Sequence, residues 1–168
     1  MISEALMEVV CSEFALNLNG IHGVSHWRRV CENGLRLAEL TGANADVVEL
    51  FAFLHDSKRL SDGWDREHGQ RAAEFFKTLR GSLVELSDEE FELLAFACAY
   101  HSDGLTEGDV TVQTCWDADR LDLGRVGIVP DPLLLCTSAA RDAAIREWAW
   151  RRSREEQVWE LAGDHDHS

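Results

Sequence analysis

Basic residues are scarce in this chain, and proline is almost missing. Lysine and arginine total 16 against 31 aspartates and glutamates, a formal net charge of −15. A surface this acidic argues against nucleic acid as a partner, because phosphate backbones are held by basic patches. It does not argue against a small anionic substrate, since a metal or a few local cations reverse the field inside a cleft. Pro130 and Pro132 are the only prolines, so no ring breaks a helix upstream of them. No apolar run approaches membrane-spanning length, and the first residues lack the basic-then-apolar pattern of a signal peptide. The expectation is a cytoplasmic protein that does not enter a membrane. The five cysteines are odd in number and form no CxxC; they read as reduced thiols, mostly small core residues, with disulfides the alternative in a secreted protein.

What is present is helical periodicity on a globular composition. The 168 residues are 45% hydrophobic, enough for one domain with a sizeable core. Helices are expected over 2–18, 26–41 (Ser25 as cap, Gly42 as stop), 45–56, 66–80 (Asp65 as cap, Gly81 as stop) and 87–100, where "SDEE" has capping-box spacing. A short helix near 114–123 follows, then a long one to about 161 that starts at Asp131 and Pro132. The best strand candidate, "DVTVQT" at 109–114, is too short to found a sheet. The expected fold is all-α, a single bundle of six to seven helices over residues 1–162, with "GDHDHS" at 163–168 a frayed tail.

The chemistry lies in the histidines. Five of the seven are outside the tail: His22, His26, His55, His68 and His101. His26 shares a stripe with Val30 and Leu37, and His55 follows Phe51 by four residues. His68 leads Ala72, Phe75 and Phe76, and His101 follows Leu94 and Cys98. Each of these four points coreward near a helix end. One such residue reads as a satisfied core histidine. Four on four helices need partners in common, and a divalent metal satisfies several imidazoles at once. Asp56 adds a carboxylate able to bridge two metals, and Asp117, opening "DADRLD", adds a second. A nitrogen and oxygen set without thiolate favours Fe, Mn, Co, Mg or Zn in a catalytic site.

The order H…HD…D, as His26, His55-Asp56 and Asp117, resembles the HD-domain metal-dependent phosphohydrolases. "SHWRRV" and "FLHDSKR" resemble the first two motifs; "DREHGQRAA", "AYHSDG" and "CWDADRLDLGRVGI" resemble later ones, so the likeness runs from about residue 22 to 140. The resemblance implies an all-α HD bundle with one metal on His26, His55, Asp56 and Asp117. It implies a second on Asp56, His68 and His101, with Asp56 as the bridge. The implied reaction is attack of a metal-activated hydroxide on a small phosphate ester, possibly a nucleotide. Some members with this motif order are mixed-valent diiron oxygenases, and a regulatory module that binds a nucleotide without turnover is a further alternative.

Lys58 and Arg120 are the cations expected to neutralise substrate phosphate. Arg59 is a substrate contact or a loop cation, and Arg120 has Asp119 or Asp122 as its alternative, structural partner. His22 reads as a group behind the ligands, a substrate contact or a further ligand. Glu67 reads as helix N-terminal charge, and Asp62 and Asp65 as turn and cap residues. Trp148, Trp150 and Trp159 read as core or a dimer surface on the last helix, and "WRRSREE" at 150–156 as a solvated face. The loops at 57–65 and 101–113 are expected to line the entrance.

Overall fold

Capping side chains set most of the helix starts. The computed structural model describes residues 2–162, with side chains as far as Glu155; the tail at 163–168 and the Trp159 side chain lie outside the described residues. Eight α-helices follow in order: α1 Glu4–Glu13, α2 Val24–Thr41, α3 Ala45–Leu54, α4 His68–Lys77, α5 Asp88–Tyr100, α6 Val110–Arg120, α7 Ser138–Arg141 and α8 Ala143–Ala162. No strand occurs among the described residues, and no helix there is long and apolar enough to cross a membrane. Asn44 accepts from the backbone N–H of Asp46 and Val47 to open α3, and Ser87 with Glu90 closes the expected capping box on α5.

Several expected boundaries are corrected. The first helix ends at Glu13 rather than 18, and α2 begins after Gly23, so Ser25 lies inside it. Asp65 does not cap α4: its carboxylate takes the Leu60 N–H and Arg71, and Glu67 holds the cap position. "DVTVQT" is the start of α6, because Asp109 accepts from the Thr111 N–H and Thr111 packs inward against the Asn44 N–H. The long final helix is broken. Asp131 caps only the 3-10 turn Pro132–Leu134, and the chain runs extended through Leu135 before α7. The reason is tertiary. The Asp117 carboxylate takes the N–H groups of Cys136 and Thr137, at 2.6 and 2.9 Å, that a continuous helix would have used internally.

The core sits between α2, α3, α5 and α6. Trp27, Val30, Val48, Phe51, Leu54, Leu94 and Trp116 are fully buried there, each stabilising the fold by roughly 1.5–3 kcal/mol. A second apolar cluster, Leu37, Leu121, Leu135, Ala140, Ile145 and Ala149, seats α7 and α8 on α2. Trp148 packs against this cluster with the guanidinium groups of Arg36 and Arg152 over its ring; within "WRRSREE", Arg151, Arg154 and Glu155 are exposed as expected, while Ser153 is buried.

Two glycines let helices approach closely enough to assemble the histidines. A Cβ on Gly34 of α2 would lie 2.4 Å from Val48 Cγ1 on α3 and 3.4 Å from Ala118 Cβ on α6. A Cβ on Gly69 of α4 would lie 2.2 Å from the Cys98 carbonyl oxygen on α5. The first contact brings together the helices carrying His26, His55 and Asp119. The second sets His68 against His101.

Candidate metal centre

His55 and His101 are the C-terminal caps of α3 and α5, His68 is the first residue of α4, and His26 lies in the first turn of α2. All four are buried, with Asp56 in the turn just after α3. Their side chains meet in two groups. In the first, His26 Nε2 lies 3.2 Å from His55 Nε2, 3.3 Å from Asp56 Oδ2 and 3.2 Å from Asp119 Oδ1. His55 Nε2 lies 3.3 Å from each of the same two oxygens. In the second, His68 Nε2 and His101 Nε2 are 2.8 Å apart, and lie 3.3 and 3.4 Å from Asp56 Oδ1. One carboxylate thus presents one oxygen to each histidine pair.

The tautomers decide what can sit between these atoms. Each Nδ1 faces an acceptor: Asp122 Oδ2 for His26 at 2.6 Å, the Phe51 and Ala52 carbonyls for His55, the Asp65 carbonyl for His68, and the Cys98 carbonyl for His101 at 2.7 Å. Those acceptors assign the ring proton to Nδ1. Each neutral imidazole therefore turns its Nε2 lone pair toward another lone pair and toward carboxylate oxygens. Such a set repels itself unless a cation lies between. Donor atoms about 3 Å apart fit metal–ligand bonds of about 2.0–2.2 Å.

Without a metal, protons fill the same role. Burial depresses the His55 imidazole, but Asp56 and Asp119 more than reverse this and push its pKa up to about 10. His26 is likewise raised: burial and Arg125 oppose the charge, and Asp119, Asp122 and Asp56 outweigh them. Burial disfavours the Asp56 and Asp119 carboxylates, yet the surrounding imidazoles hold both well below the usual range.

The carboxylate expected from Asp117 is supplied by Asp119. Asp117 faces away, and its oxygens accept from the Cys136 and Thr137 N–H groups and the Thr137 hydroxyl. Burial pushes its carboxyl up, against those hydrogen bonds. The two positions are about 200° apart around a helix, so only one can face His26. Asp122 shares the face of Asp119, and it is held in turn by Arg29 Nε at 2.7 Å. Neither Arg29 nor Asp122 was singled out for this role. The signal was present as paired spacings of three residues, His26 with Arg29 and Asp119 with Asp122.

The expected cations divide. Lys58 turns away: its ammonium binds Glu13 at 3.0 Å and lies over the Phe75 ring. Arg59 and Arg120 line a cavity of about 270 Å³ that opens onto Asp56, His101 and Asp119, and Arg125 joins them. Arg59 Nε lies 3.4 Å from Asp56 Oδ1. Arg120 binds neither Asp119 nor Asp122; its Nη1 donates to the Leu134 carbonyl, and its buried Nη2 has no hydrogen-bond partner. His22 is buried beside His26, its Nδ1 2.7 Å from Asp62 Oδ1, and burial lowers its pKa. A larger hollow of about 380 Å³, bounded by Ser3, Glu49 and Glu85, shares no residue with the cluster.

No protein-family model and no curated protein matches the sequence. Among solved structures, the chain is similar to a predicted HD superfamily hydrolase from an uncultured Thermotogales bacterium. The TM-score is 0.67 and the sequence identity 24%, over 94% of this chain and 90% of that one. With eight helices among the described residues, the chain takes the all-α fold of that protein.

Proposed function

We propose that the chain is a metal-dependent phosphohydrolase that acts on a small phosphate monoester. The observation that carries this reading is the Asp56 carboxylate, which offers one oxygen to each of two histidine pairs whose lone pairs converge. His26, His55, Asp56 and Asp119 would hold one divalent cation, and Asp56, His68 and His101 a second. Cations in such a site lower the pKa of water toward neutrality and neutralise charge developing on phosphoryl oxygens.

The chain's own residues supply orientation and charge. The Nδ1 partners lock each imidazole, and the Arg29–Asp122 pair fixes His26. Arg120, Arg59 and Arg125 balance Asp56, Asp119 and Asp131 in the lining of the mouth, on an otherwise acidic protein. Arg120 lines this cavity, and its guanidinium is a source of charge-assisted donors for a phosphoryl oxygen. The arginines favour phosphate chemistry over oxygen activation on the same ligands, and the name of the similar structure, a hydrolase, agrees with that choice.

The test is elemental analysis of protein purified without chelator or histidine tag, followed by phosphate release from an activated aryl phosphate under manganese, cobalt or magnesium. Two metals per chain and metal-dependent release are expected. Iron with oxygen uptake by the reduced protein and no phosphate release overturns the hydrolytic reading.

A further inference from the structure

We infer that the preferred substrate is the phosphate monoester of a small aliphatic alcohol, not of a nucleoside or a sugar; the inference rests on the hydrolytic reading above. The cavity over the cluster has two kinds of wall. Arg59, Arg120 and Arg125 form one, and Leu123, Pro130, Leu134 and Leu135 form much of the rest. The two are tied together, since Arg120 Nη1 donates to the Leu134 carbonyl at 2.7 Å while its Nη2 stays unpaired. An anionic group held between these arginines and the cluster therefore places its ester substituent against leucine and proline.

Most polar groups in the wall are already engaged, with the exposed Ser102 the exception. Arg59 Nη1 holds the Ser61 and Gly63 carbonyls, Arg125 holds the Ile21 and Asp122 carbonyls, and Asp131 caps the Leu133 N–H. Ser102 brings the one neutral polar side chain to the lining, and His101 the one aromatic ring. A sugar with several hydroxyls, or a base edge, would give up water with Ser102 as the main replacement partner, and a base would find only the small His101 imidazole to stack on. The volume, about 270 Å³, lies near the small end of the range for small-molecule sites. A compact alkyl group meets none of these penalties, and each methylene buried on the wall raises kcat/KM by about fourfold.

The experiment uses the full chain loaded with manganese. Hydrolysis of p-nitrophenyl phosphate first checks the hydrolytic reading; no release there removes that reading and this inference with it. Butyl phosphate, glycerol phosphate, ribose phosphate and adenosine monophosphate are then compared. Butyl phosphate is expected to exceed the other three in kcat/KM by about tenfold or more. With p-nitrophenyl phosphate active, equal or faster turnover of the nucleotide or either polyol ester overturns the inference. Leu134→Gln, at a half-exposed position that tolerates the change, is expected to cut the butyl-to-glycerol ratio to within about threefold. An unchanged ratio overturns the assignment of the aliphatic wall.

Discussion

His26 and His68 both give an Nδ1–H to an acceptor, but the acceptors differ in kind. His26 donates to the Asp122 carboxylate, which Arg29 grips in turn. His68 donates to a backbone carbonyl, that of Asp65, in the loop before α4. The groups in front of the rings differ as well. His26 and His55 face oxygens of both Asp56 and Asp119, whereas His68 and His101 face a single oxygen of Asp56. Arg59 Nε lies near that same oxygen and competes for it. On the proposed two-cation reading, more negative charge and an ionic support behind the ring would make the first group the tighter cation site. The second would be the more exchangeable one. Affinity in such sites follows ligand charge and the outer partners that orient the ligands.

Removing what the two groups share gives the largest effect. Asp56→Ala is expected to abolish both sites, with metal content near zero and activity reduced by about 10³-fold or more. Full metal content and activity in this variant would sink the two-site reading. Next come changes that separate the groups. Asp119→Ala should remove the tighter cation and His101→Ala the weaker, each leaving about one metal per chain by elemental analysis. Loss of the tighter titration phase in His101→Ala, rather than in Asp119→Ala, would reverse the ranking.

A smaller effect follows from protonation of the first group. His26 and His55 are raised in the metal-free protein, His55 to about 10. A raised pKa adds stability that is full below the unfolded value, about 6.5, and is lost as pH rises through the folded value. The cation needs the same nitrogens bare, so its binding strengthens across the same window. Each proton displaced is worth about 1.4 kcal/mol per pH unit. The Tm of manganese-loaded protein minus that of chelated protein should therefore widen by a few degrees per unit from about pH 6.5 to 8.5. A flat difference would mean that the first group holds no displaceable protons.

Much of this was legible in the amino-acid order. Four histidines on apolar stripes at helix ends announced a shared site, and "SDEE" announced a capping box that the structure contains. The exchange of Asp117 for Asp119 is a different matter. Around a helix at about 100° per residue, residues 119 and 122 share a face and 117 does not, so the spacing of "DADRLD" favoured Asp119. The break after Leu134 was not legible, because it depends on a carboxylate from α6 reaching the Cys136 N–H. Nor was Lys58. Its position two residues beyond Asp56 says nothing of a glutamate on α1, which becomes its neighbour only once the bundle has formed.

The two cations on which the sequence placed phosphate binding offer the finest test, because the structure sends them to opposite places. Arg120 lines the cavity, while the Lys58 ammonium is paired with Glu13 outside it. Arg120→Lys keeps the charge but removes the fork of donors, and a loss of about tenfold in kcat/KM is expected. Lys58→Met breaks a pair whose side chains are 27% and 49% exposed; such pairs contribute about 0–1 kcal/mol. Its Tm should fall by no more than about 2–4 °C and its kcat/KM should stay within about twofold of the parent's. A loss in Lys58→Met equal to that in Arg120→Lys would require the lysine to leave Glu13 and swing to the substrate. The charge at the mouth would then be assembled on binding rather than held ready by Arg59, Arg120 and Arg125.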